Sequence, residues 1–575
     1  MFVRVKHNGN YDYLQLVDSQ RIDGKVRQSV IGTLGRRDLL ESTDALARLM
    51  ASLNKFTRHA LVLADHRCGR TEELWTRTLG PALLFGRLWE QLGLPGVLDE
   101  LLVDRKFGFA VERAIFLTVL HRLMGSGGRS DRAAEKWREN HLIPGVEELE
   151  LQHLYRAMAW LGEELDKAEQ AGATPFAPRC TKDQIEEALF ARRRDLFTGL
   201  SLAFFDTTSL YFEGEGGESI GKHGHSKDHR PDLKQMVVGM VLSGEGRPIC
   251  CEMWPGNTTD VKTLLPIVKR LRSRFGIQQV CIVADRGMIS DDTIATLEDE
   301  LPGLKYILGA RLRSDHEVRD TVLSWPGAYR EVHGPRQHSK DPSPLKVKNV
   351  RFTAEDGRDR RFVVCHNVEQ AEKDRHDRET IVAALADQLK SGPKSLVGNK
   401  GYRKYVQVEG EAAFGIDYEK VKAEARFDGK WVLRSNWDQA TAEELALRYK
   451  DLWRVEAIFR AAKTVLESRP IYHKCDQTIR GHVFCSFLAL VLIKELEDRL
   501  AAKGLELEWA DVLRDLAELR VTRLTSGAAT CELRSTPRGT AGKVIAAAGV
   551  ALGPPLRFLG EHEQTNLSCH RPCAH

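Results

Sequence analysis

The segments Ala203-Phe204-Phe205-Asp206 and Cys281-Ile282-Val283-Ala284-Asp285 decide the fold, because each is an apolar run that stops at an aspartate. Short apolar runs bounded by polar residues predict buried β-strands. In sheets covered by helices, reactive side chains collect where strands end, since rigid backbone there aims them into a cleft that solvent reaches. Asp206 and Asp285 are therefore candidate site residues. Taken singly, each could equally cap a helix or form a turn after a strand.

Strand and helix patterns alternate around these two aspartates. The runs Met236 to Leu242, Pro248 to Trp254 and Lys305 to Leu308 have the composition of strands, and Val261 to Phe275 has the apolar spacing of a helix. Several strands, followed by a helix that crosses to another strand, predict a mixed sheet flanked by helices. The predicted fold class is therefore α/β.

A second strand-rich stretch interrupts this region from about Arg311 to Asp438. It contains the turn dipeptides Asp356-Gly357 and Asp428-Gly429 beside runs of β-forming residues. A long helical pattern returns only after it, from Ala442 to Leu466. The simplest account is a β-rich subdomain inserted into the core.

The beginning of the chain changes pattern twice. Residues 2–34 alternate apolar and polar residues around Asn8-Gly9 and Asp23-Gly24, dipeptides typical of hairpin turns, and predict a small β-meander. From about Glu72 to Glu169 the apolar spacing is that of helices. The meander mixes aromatic and basic residues in a way that suits DNA but equally suits any exposed sheet, namely Arg4, Lys6, Tyr11, Tyr13, Lys25 and Arg27.

These changes of pattern predict how the chain is divided. Residues 1–70 form the β-meander, a candidate DNA contact, and residues 71–195 form a helical domain that we expect to bind DNA. Residues 196–310 and 439–500 form the two parts of a catalytic core, and residues 311–438 form its β-rich insertion. Residues 501–575 form a C-terminal region that is a candidate for dimerisation or DNA contact.

Composition narrows the class of protein. Hydrophobic residues make up 42% and charged residues 29%, as in globular proteins that bury a core. The net charge of +4 is the remainder of 85 basic and 81 acidic residues, so local basic patches can still follow a phosphate backbone. The longest apolar run, Val483 to Ile493, is too short to cross a bilayer, and no secretory leader is evident at Met1. With scattered cysteines, the expected location is cytoplasmic, without a membrane partner.

A third candidate carboxylate is Glu456. Tyr449, Glu456 and Lys463 recur every seven residues, so we expect them close to one face of a helix, with Trp453 and Arg460 beside them. A carboxylate bordered by Lys and Arg can bind a metal while its neighbours hold substrate phosphates. The alternative is a surface salt bridge between Glu456 and Arg460.

With these residues, the chain resembles the DDE transposases of bacterial insertion sequences, in the branch that has a Tyr-x2-Arg-x3-Glu-x6-Lys signature. Tyr449, Glu456 and Lys463 match this spacing, whereas Leu452 stands where the signature has arginine. Arg454 and Arg460 are the candidates to replace that arginine as a phosphate clamp. Further segments are similar to the same family between Leu200 and Phe487, namely Phe205 to Thr208, Gly224 to Arg230, Pro255 to Asp260 and Ala284 to Gly287.

The resemblance implies a ribonuclease-H-like core whose β-rich insertion lies between the second aspartate and the glutamate. It implies that Asp206, Asp285 and Glu456 are catalytic and hold two Mg²⁺ ions, which Mn²⁺ can replace. It also implies a set of DNA-contacting residues, namely Lys227, Arg230, Arg286, Trp431, Tyr449, Trp453, Arg454, Arg460 and Lys463. Trp431 would stack on a base flipped out of the DNA, and a buried core tryptophan is the alternative.

The implied activity is that of an insertion-sequence transposase, which cuts at terminal inverted repeats and joins 3′-OH ends to target DNA. Double-stranded DNA and a second copy of the chain are the implied partners, and association with the nucleoid follows. A nuclease of the same fold that does not join DNA, or a non-catalytic DNA-binding descendant, are the alternatives. An ATPase is disfavoured, because the P-loop-like segment Gly216 to Lys222 is followed by His223 and not by Ser or Thr.

Overall fold

The computed structural model describes residues 2–22, 25–43, 45–46, 48–49, 72–125, 130–171, 173, 177–193, 202–277, 280–301, 303–338, 340–390, 404–409, 413–464, 466, 468–526 and 529–559. The chain divides into two compact units. The first comprises Met1–Gly80, Asp515–Gly539 and Ala551–His575, and the second comprises Pro81–Arg514 and Thr540–Val550.

The first unit contains two antiparallel sheets. Strands β1 (Phe2–Asn8), β2 (Tyr11–Ile22) and β3 (Lys25–Arg36) form the predicted meander, which the helix Arg37–Ser42 follows. The second sheet has the order β18-β17-β16-β4, with β4 at Glu72–Thr78, β16 at Arg520–Ser526, β17 at Ala529–Arg534 and β18 at Leu556–Leu559. The helical pattern predicted to begin near Glu72 is thus wrong for β4, because its pairing with β16, far away in the chain, overrides the local periodicity.

The second unit begins with helices, as predicted. They span Gly80–Gln91, Leu94–Leu102, Val111–Met124, Asp131–Trp137, Leu151–Leu161 and Thr181–Arg192. A 27-residue helix, Asp476–Ala502, packs against Val111–Met124 and Leu151–Leu161 and buries the apolar run that the sequence predicts to be a core helix. No described helix is long and apolar enough to span a membrane. The helices Trp509–Ala517 and Ala541–Ala547 complete the C-terminal part of the chain.

A nine-stranded mixed sheet forms the centre of the second unit. Its strands are β5 (Leu202–Tyr211), β6 (Gln235–Ser243), β7 (Pro248–Pro255), β8 (Cys281–Ala284), β9 (Lys305–Gly309), β10 (Arg330–His333), β11 (Leu345–Thr353), β12 (Asp359–His366) and β15 (Lys430–Ser435). The order is β10-β11-β12-β15-β9-β8-β5-β6-β7. Only the β5–β8 and β8–β9 pairs are parallel among those described. The predicted α/β class with a mixed sheet is confirmed.

The predicted β-rich insertion is not a separate sheet. β15 pairs with β9 through Leu433 and Gly309, so β10, β11, β12 and β15 extend the core sheet by one edge. Periodicity predicts that a segment is a strand but not which strand it pairs with. The insertion also contains the helices Val368–Lys390 and Tyr418–Ala425, and the small hairpin of β13 (Val406–Glu409) and β14 (Ala413–Ile416).

The long helix predicted from Ala442 to Leu466 is two helices, Ala442–Lys450 and Trp453–Thr464. At the break, the Leu452 amide donates to the Tyr449 carbonyl oxygen, and the Val455 amide donates to the Leu452 carbonyl oxygen. These three-residue hydrogen bonds tighten the chain between the helices. Leu452 is buried there. Tyr449 therefore belongs to a different helix from Glu456, and the seven-residue spacing does not place them on one continuous helix face.

Two layers of helices cover the core sheet. The helices Leu264–Arg274 and Asp291–Asp299 pack on the face that Ala203 and Phe205 share. Side chains alternate along a strand, so Asp206 and Thr208 belong to the opposite face. The helix Trp453–Thr464 covers that face, since Phe459 and Lys463 line the same small cavity as Thr208.

Candidate functional site

The candidate site begins with a row of residues across the sheet. The parallel register pairs Phe205 with Ala284, and Ala284 with Leu308 on β9. Asp206 follows Phe205, Asp285 follows Ala284 and Gly309 follows Leu308. These three residues therefore lie side by side in the next row across the sheet. β8 ends at Ala284, as predicted, but β5 continues to Tyr211. The prediction that Asp206 ends its strand is wrong, although it does lie where the parallel partner of β5 ends.

Tyr449 is positioned over this row by a glycine. A Cβ atom at Gly309 would overlap the Tyr449 hydroxyl, so only glycine leaves space for the ring. The hydroxyl donates to Oδ1 of Asp285 at 3.0 Å. Burial, and then the negative charge of Asp285, raise the pKa of Tyr449, so the hydroxyl stays protonated and remains a donor. This contact holds the Asp285 carboxylate in one orientation.

A second polar cluster holds Asp206 and includes an aspartate that the sequence analysis did not single out. The Thr207 amide donates to Asp206 Oδ1 at 2.7 Å, and the Thr207 hydroxyl donates to Asp260 Oδ1 at 2.6 Å. Lys227 Nζ lies 3.2 Å from Asp260 Oδ2 and 4.0 Å from Asp206 Oδ1. Asp260 follows the fully buried strand β7. Its place at the end of the family-like segment Pro255 to Asp260 is the one signal that pointed to it.

The environment of Asp206 disfavours its charge. Burial, and to a smaller extent the negative charges of Asp285 and Asp260, raise the pKa of Asp206 to about 6 against the opposing effect of Lys227 and of the Thr207 amide. Crowded carboxylates in a poorly solvated place are stabilised by a cation that they share. Oxygen ligands of this kind are those that Mg²⁺ and Mn²⁺ prefer. The donor set therefore fits a divalent metal ion.

Glu456 lies on the helix that covers the Asp206 face of the sheet. Val455 and Phe459 of this helix are buried, and Glu456 is exposed one turn before Phe459. Met240, which pairs with Asp206 across β5 and β6, lines the same small cavity as Phe459. Within the described part of the chain, Glu456 has no hydrogen-bond or ion-pair partner, so the salt bridge with Arg460 that was the alternative does not form. The structure brings Asp206 and Asp285 together and places Glu456, exposed, on the helix that covers the Asp206 face.

The basic and aromatic candidates lie in three places. Near Glu456, Arg454 lies over the Trp453 ring at 5.9 Å and within 3.6 Å of Asp451, and the exposed Arg460 is one turn further along. At the end of the helix, Lys463 donates to Asp228 Oδ1 at 2.8 Å, and Arg469 pairs with the same oxygen.

The remaining candidates lie on loops and on the extended sheet. Arg286 is exposed immediately after Asp285. Arg230 pairs with Asp232 at 2.8 Å and lies over the Tyr211 ring at 5.6 Å. Trp431 is half-buried on β15, opposite Cys365.

Two other features resemble binding sites but have structural partners. In the P-loop-like segment, the amides of Glu218 and Ser219 donate to the Asp476 carboxylate, so they already have an acceptor. In the part of the chain that the structure describes, Asp131, His473 and His482 form the one compact group with the spacing of metal ligands. Arg122 Nη2 lies 3.0 Å from His482 Nδ1 and occupies the place of a cation there.

Two family models match this chain. The model described as the transposase DDE domain matches residues 198–492, which is more than half of the 575 residues. The chain belongs to the DDE transposase family. The transposase is thus an enzyme that cleaves DNA and transfers strands, and its family uses divalent metal ions. A model described as the N-terminal domain of IS1634 family transposases matches residues 2–64, which include β1, β2 and β3.

Solved structures resemble the transposase only weakly. A piggyBac transposase synaptic complex with hairpin DNA is 11% identical over 76% of this chain and 79% of that chain, with a TM-score of 0.32. A Mos1 mariner paired-end complex with Mn is 13% identical over 38% of this chain and 66% of that chain, with a TM-score of 0.13. Likeness at this level supports no detailed comparison. The search of curated proteins gave no match.

Proposed function

We propose that this transposase mobilises an insertion sequence by cutting at its terminal inverted repeats and joining the freed 3′-OH ends to target DNA. The observation that carries the proposal is the parallel register of β5, β8 and β9, which sets Asp206 and Asp285 side by side under Tyr449. The core is proposed to be ribonuclease-H-like. The division of the whole chain into six parts, namely the meander, the helical domain, the two parts of the core, the insertion and the C-terminal region, also stays a proposal.

Asp206, Asp285 and Glu456 are proposed to hold two Mg²⁺ ions, with Mn²⁺ as a substitute. When bound, such ions activate the attacking oxygen and stabilise the charge on the leaving oxygen of the phosphodiester. Crowding of Asp206 with Asp285 and Asp260 supports a cation at this place, because each neighbouring carboxylate raises the pKa of Asp206. The exposed Glu456 carboxylate has no partner among the described residues and is free to join them.

The other residues orient these carboxylates or contact DNA. Tyr449 orients Asp285 through the 3.0 Å hydrogen bond, and Lys227 partly neutralises Asp206 and Asp260. Arginine and lysine side chains around the aspartates would bind the phosphates on either side of the cut, namely Lys227, Arg230, Arg286, Arg454, Arg460 and Lys463. Leu452 stands where the signature has arginine, and it is apolar and buried, so it cannot bind a phosphate. The proposed phosphate clamp is therefore Arg454 or Arg460. Tyr449, Trp431 and Trp453 are further proposed DNA contacts.

The decisive experiment is 3′-end joining of a labelled terminal-repeat oligonucleotide to plasmid DNA with Mg²⁺. The repeats are identified from the DNA that flanks the gene. Wild-type protein is expected to nick the oligonucleotide and join it, whereas Asp285→Asn does neither. The matched control is Asp292→Asn, which removes an exposed carboxylate on a neighbouring helix and should leave both steps intact.

Each alternative function predicts a different result. Cleavage without joining would identify a nuclease of the same fold, and DNA binding without cleavage would identify a non-catalytic descendant. Normal cleavage by Asp285→Asn would refute the assignment of the carboxylates. Cutting both ends of an element needs two active sites, so we propose a homodimer on DNA. Light scattering of the protein with a two-ended substrate tests this stoichiometry.

A further inference from the structure

Asp228 is a buried carboxylate to which the proposed reaction gives no role. It lies in the 224–230 loop, directly after Lys227, and its side chain is only 5% exposed. Its Oδ1 accepts a hydrogen bond from Lys463 Nζ at 2.8 Å and also pairs with Arg469. Its Oδ2 has no hydrogen-bond partner in the described part of the chain. One carboxylate oxygen thus joins three separate segments of the protein.

The loop is fixed to the strand that carries Asp206. The Lys227 amide donates to the Ser209 hydroxyl at 2.9 Å, and the Lys227 ammonium group donates to the Thr207 carbonyl oxygen at 2.7 Å. Ser209 and Thr207 both belong to β5, and the same ammonium group lies 4.0 Å from Asp206 Oδ1. The carboxylate that follows Lys227 therefore has a defined position relative to Asp206.

Lys463 and Glu456 share one face of the helix Trp453–Thr464. The seven residues between them make almost two full turns, so their side chains leave the helix in nearly the same direction, about 10 Å apart along its axis. Because Lys463 reaches Asp228, this face is directed toward the 224–230 loop. The contact between Lys463 and Asp228 therefore restricts rotation of the helix and, with it, the direction of the Glu456 carboxylate.

Arg469 is held by β5 and not by the helix. The Ile471 amide donates to the Tyr211 carbonyl oxygen at 3.1 Å, and the Glu213 amide donates to the Ile471 carbonyl oxygen at 3.0 Å. The segment that carries Arg469 thus pairs with the end of β5. Loss of Arg469 would remove one cation from Asp228 but leave its link to the helix.

We propose that Asp228 is a positioning residue of the transposase. Through Lys463 it fixes the helix that carries Glu456, and through the adjacent Lys227 it is tied to the strand that carries Asp206. The third proposed carboxylate thereby takes a defined place relative to the first. This inference rests on the proposed function in taking Glu456 as a metal ligand. The alternative is a buried salt bridge that contributes only to stability.

Binding of Mn²⁺ to the metal-free, full-length protein without DNA separates the two roles. Free Mn²⁺ is measured by electron paramagnetic resonance during a titration, and circular dichroism shows that each variant is folded. The test variant is Lys463→Met, which removes the contact on the helix and leaves Asp228 paired with Arg469. The matched control is Arg469→Met, which removes the same charge from the same carboxylate but leaves the contact on the helix.

Charge and position predict opposite effects of Lys463→Met. A nearby positive charge repels a metal ion, so its loss by itself would strengthen Mn²⁺ binding. Loss of the contact that directs Glu456 should instead weaken Mn²⁺ binding at least about tenfold. Arg469→Met should not weaken it by more than about twofold. Asp228→Ala should weaken binding as much as Lys463→Met, whereas Asp228→Asn keeps an oxygen that accepts from Lys463 and should weaken it less.

A double variant tests whether Lys463 acts through Glu456. Glu456→Gln should weaken Mn²⁺ binding, and Lys463→Met/Glu456→Gln should bind Mn²⁺ no more weakly than Glu456→Gln alone. Losses that add in the double variant would overturn the proposal, because Lys463 would then act independently of Glu456.

Three other results would also overturn the proposal. If Glu456→Gln weakens Mn²⁺ binding but Lys463→Met does not, Asp228 has no positioning role, and the proposed function stands. Equal losses in Lys463→Met and Arg469→Met would show a general loosening around Asp228 and no specific control of the helix. Unchanged binding by Glu456→Gln would refute Glu456 as a metal ligand, and with it both the proposed metal site and the role of Asp228.

Discussion

Replacing Asp206 with asparagine should abolish catalysis and yet stabilise the fold. The Asp206 carboxyl group is mostly buried, and this burial is the largest cause of the rise in its pKa from 3.8 to about 6. A difference of about two pH units corresponds to about 3 kcal/mol. At pH 8 the folded protein carries this unfavourable charge, whereas Asp206→Asn has none. We therefore expect the variant to unfold with a free energy about 3 kcal/mol higher than wild type.

The sign of this effect depends on pH. Because the folded state binds the Asp206 proton more tightly than the unfolded state, this group favours folding most below pH 4, and the benefit is lost as the pH rises through about 6. The gain from Asp206→Asn should therefore fall to about half at pH 5 and below about 1 kcal/mol at pH 4. At pH 4 the folded wild-type protein and the folded variant both carry a neutral side chain at position 206.

Urea denaturation in EDTA, followed by circular dichroism at pH 8 and pH 5, measures the difference. Glu456→Gln is the matched control, because it removes a carboxylate that is exposed, and we expect a change within about 0.5 kcal/mol. No gain for Asp206→Asn at pH 8, or an equal gain at both pH values, would refute the argument that burial of this charge destabilises the metal-free fold.

Three further substitutions test the packing that positions the site. Tyr449→Phe removes the donor to Asp285 and should lower the rate of single-turnover DNA cleavage about tenfold with little loss of stability, whereas an unchanged rate would show that Asp285 needs no such support. Gly309→Ala places a methyl group against the Tyr449 hydroxyl and should lower the cleavage rate by displacing that ring, and an unchanged rate would contradict the close approach. Arg270→Ala removes the guanidinium that pairs with the buried Asp183 and Glu186, which then keep only Lys182 and Arg274 as cationic neighbours, and should cost about 3 kcal/mol in urea denaturation. The exposed Lys269→Ala should change the stability little.

The sequence alone predicted the elements of the core well. Buried strands were expected at Met236 to Leu242, Pro248 to Trp254 and Lys305 to Leu308, and each is a strand in the structure. Local composition decides whether a segment is a strand, and apolar runs followed by a polar residue carry that signal strongly. Asp206 and Asp285 became candidate site residues for the same reason, since each follows such a run.

Only the tertiary structure decided how these elements meet. It joined β15 to β9, so that the insertion became part of the core sheet, and it ended one helix at Lys450, so that Tyr449 bonds to Asp285. It also brought Asp260 to Asp206 through Thr207 and Lys227. The residues of the chain determined which segments are strands and which carboxylates follow them. Pairing partners, helix breaks and loop contacts depend on residues far apart in the chain, and local periodicity contains no information on them.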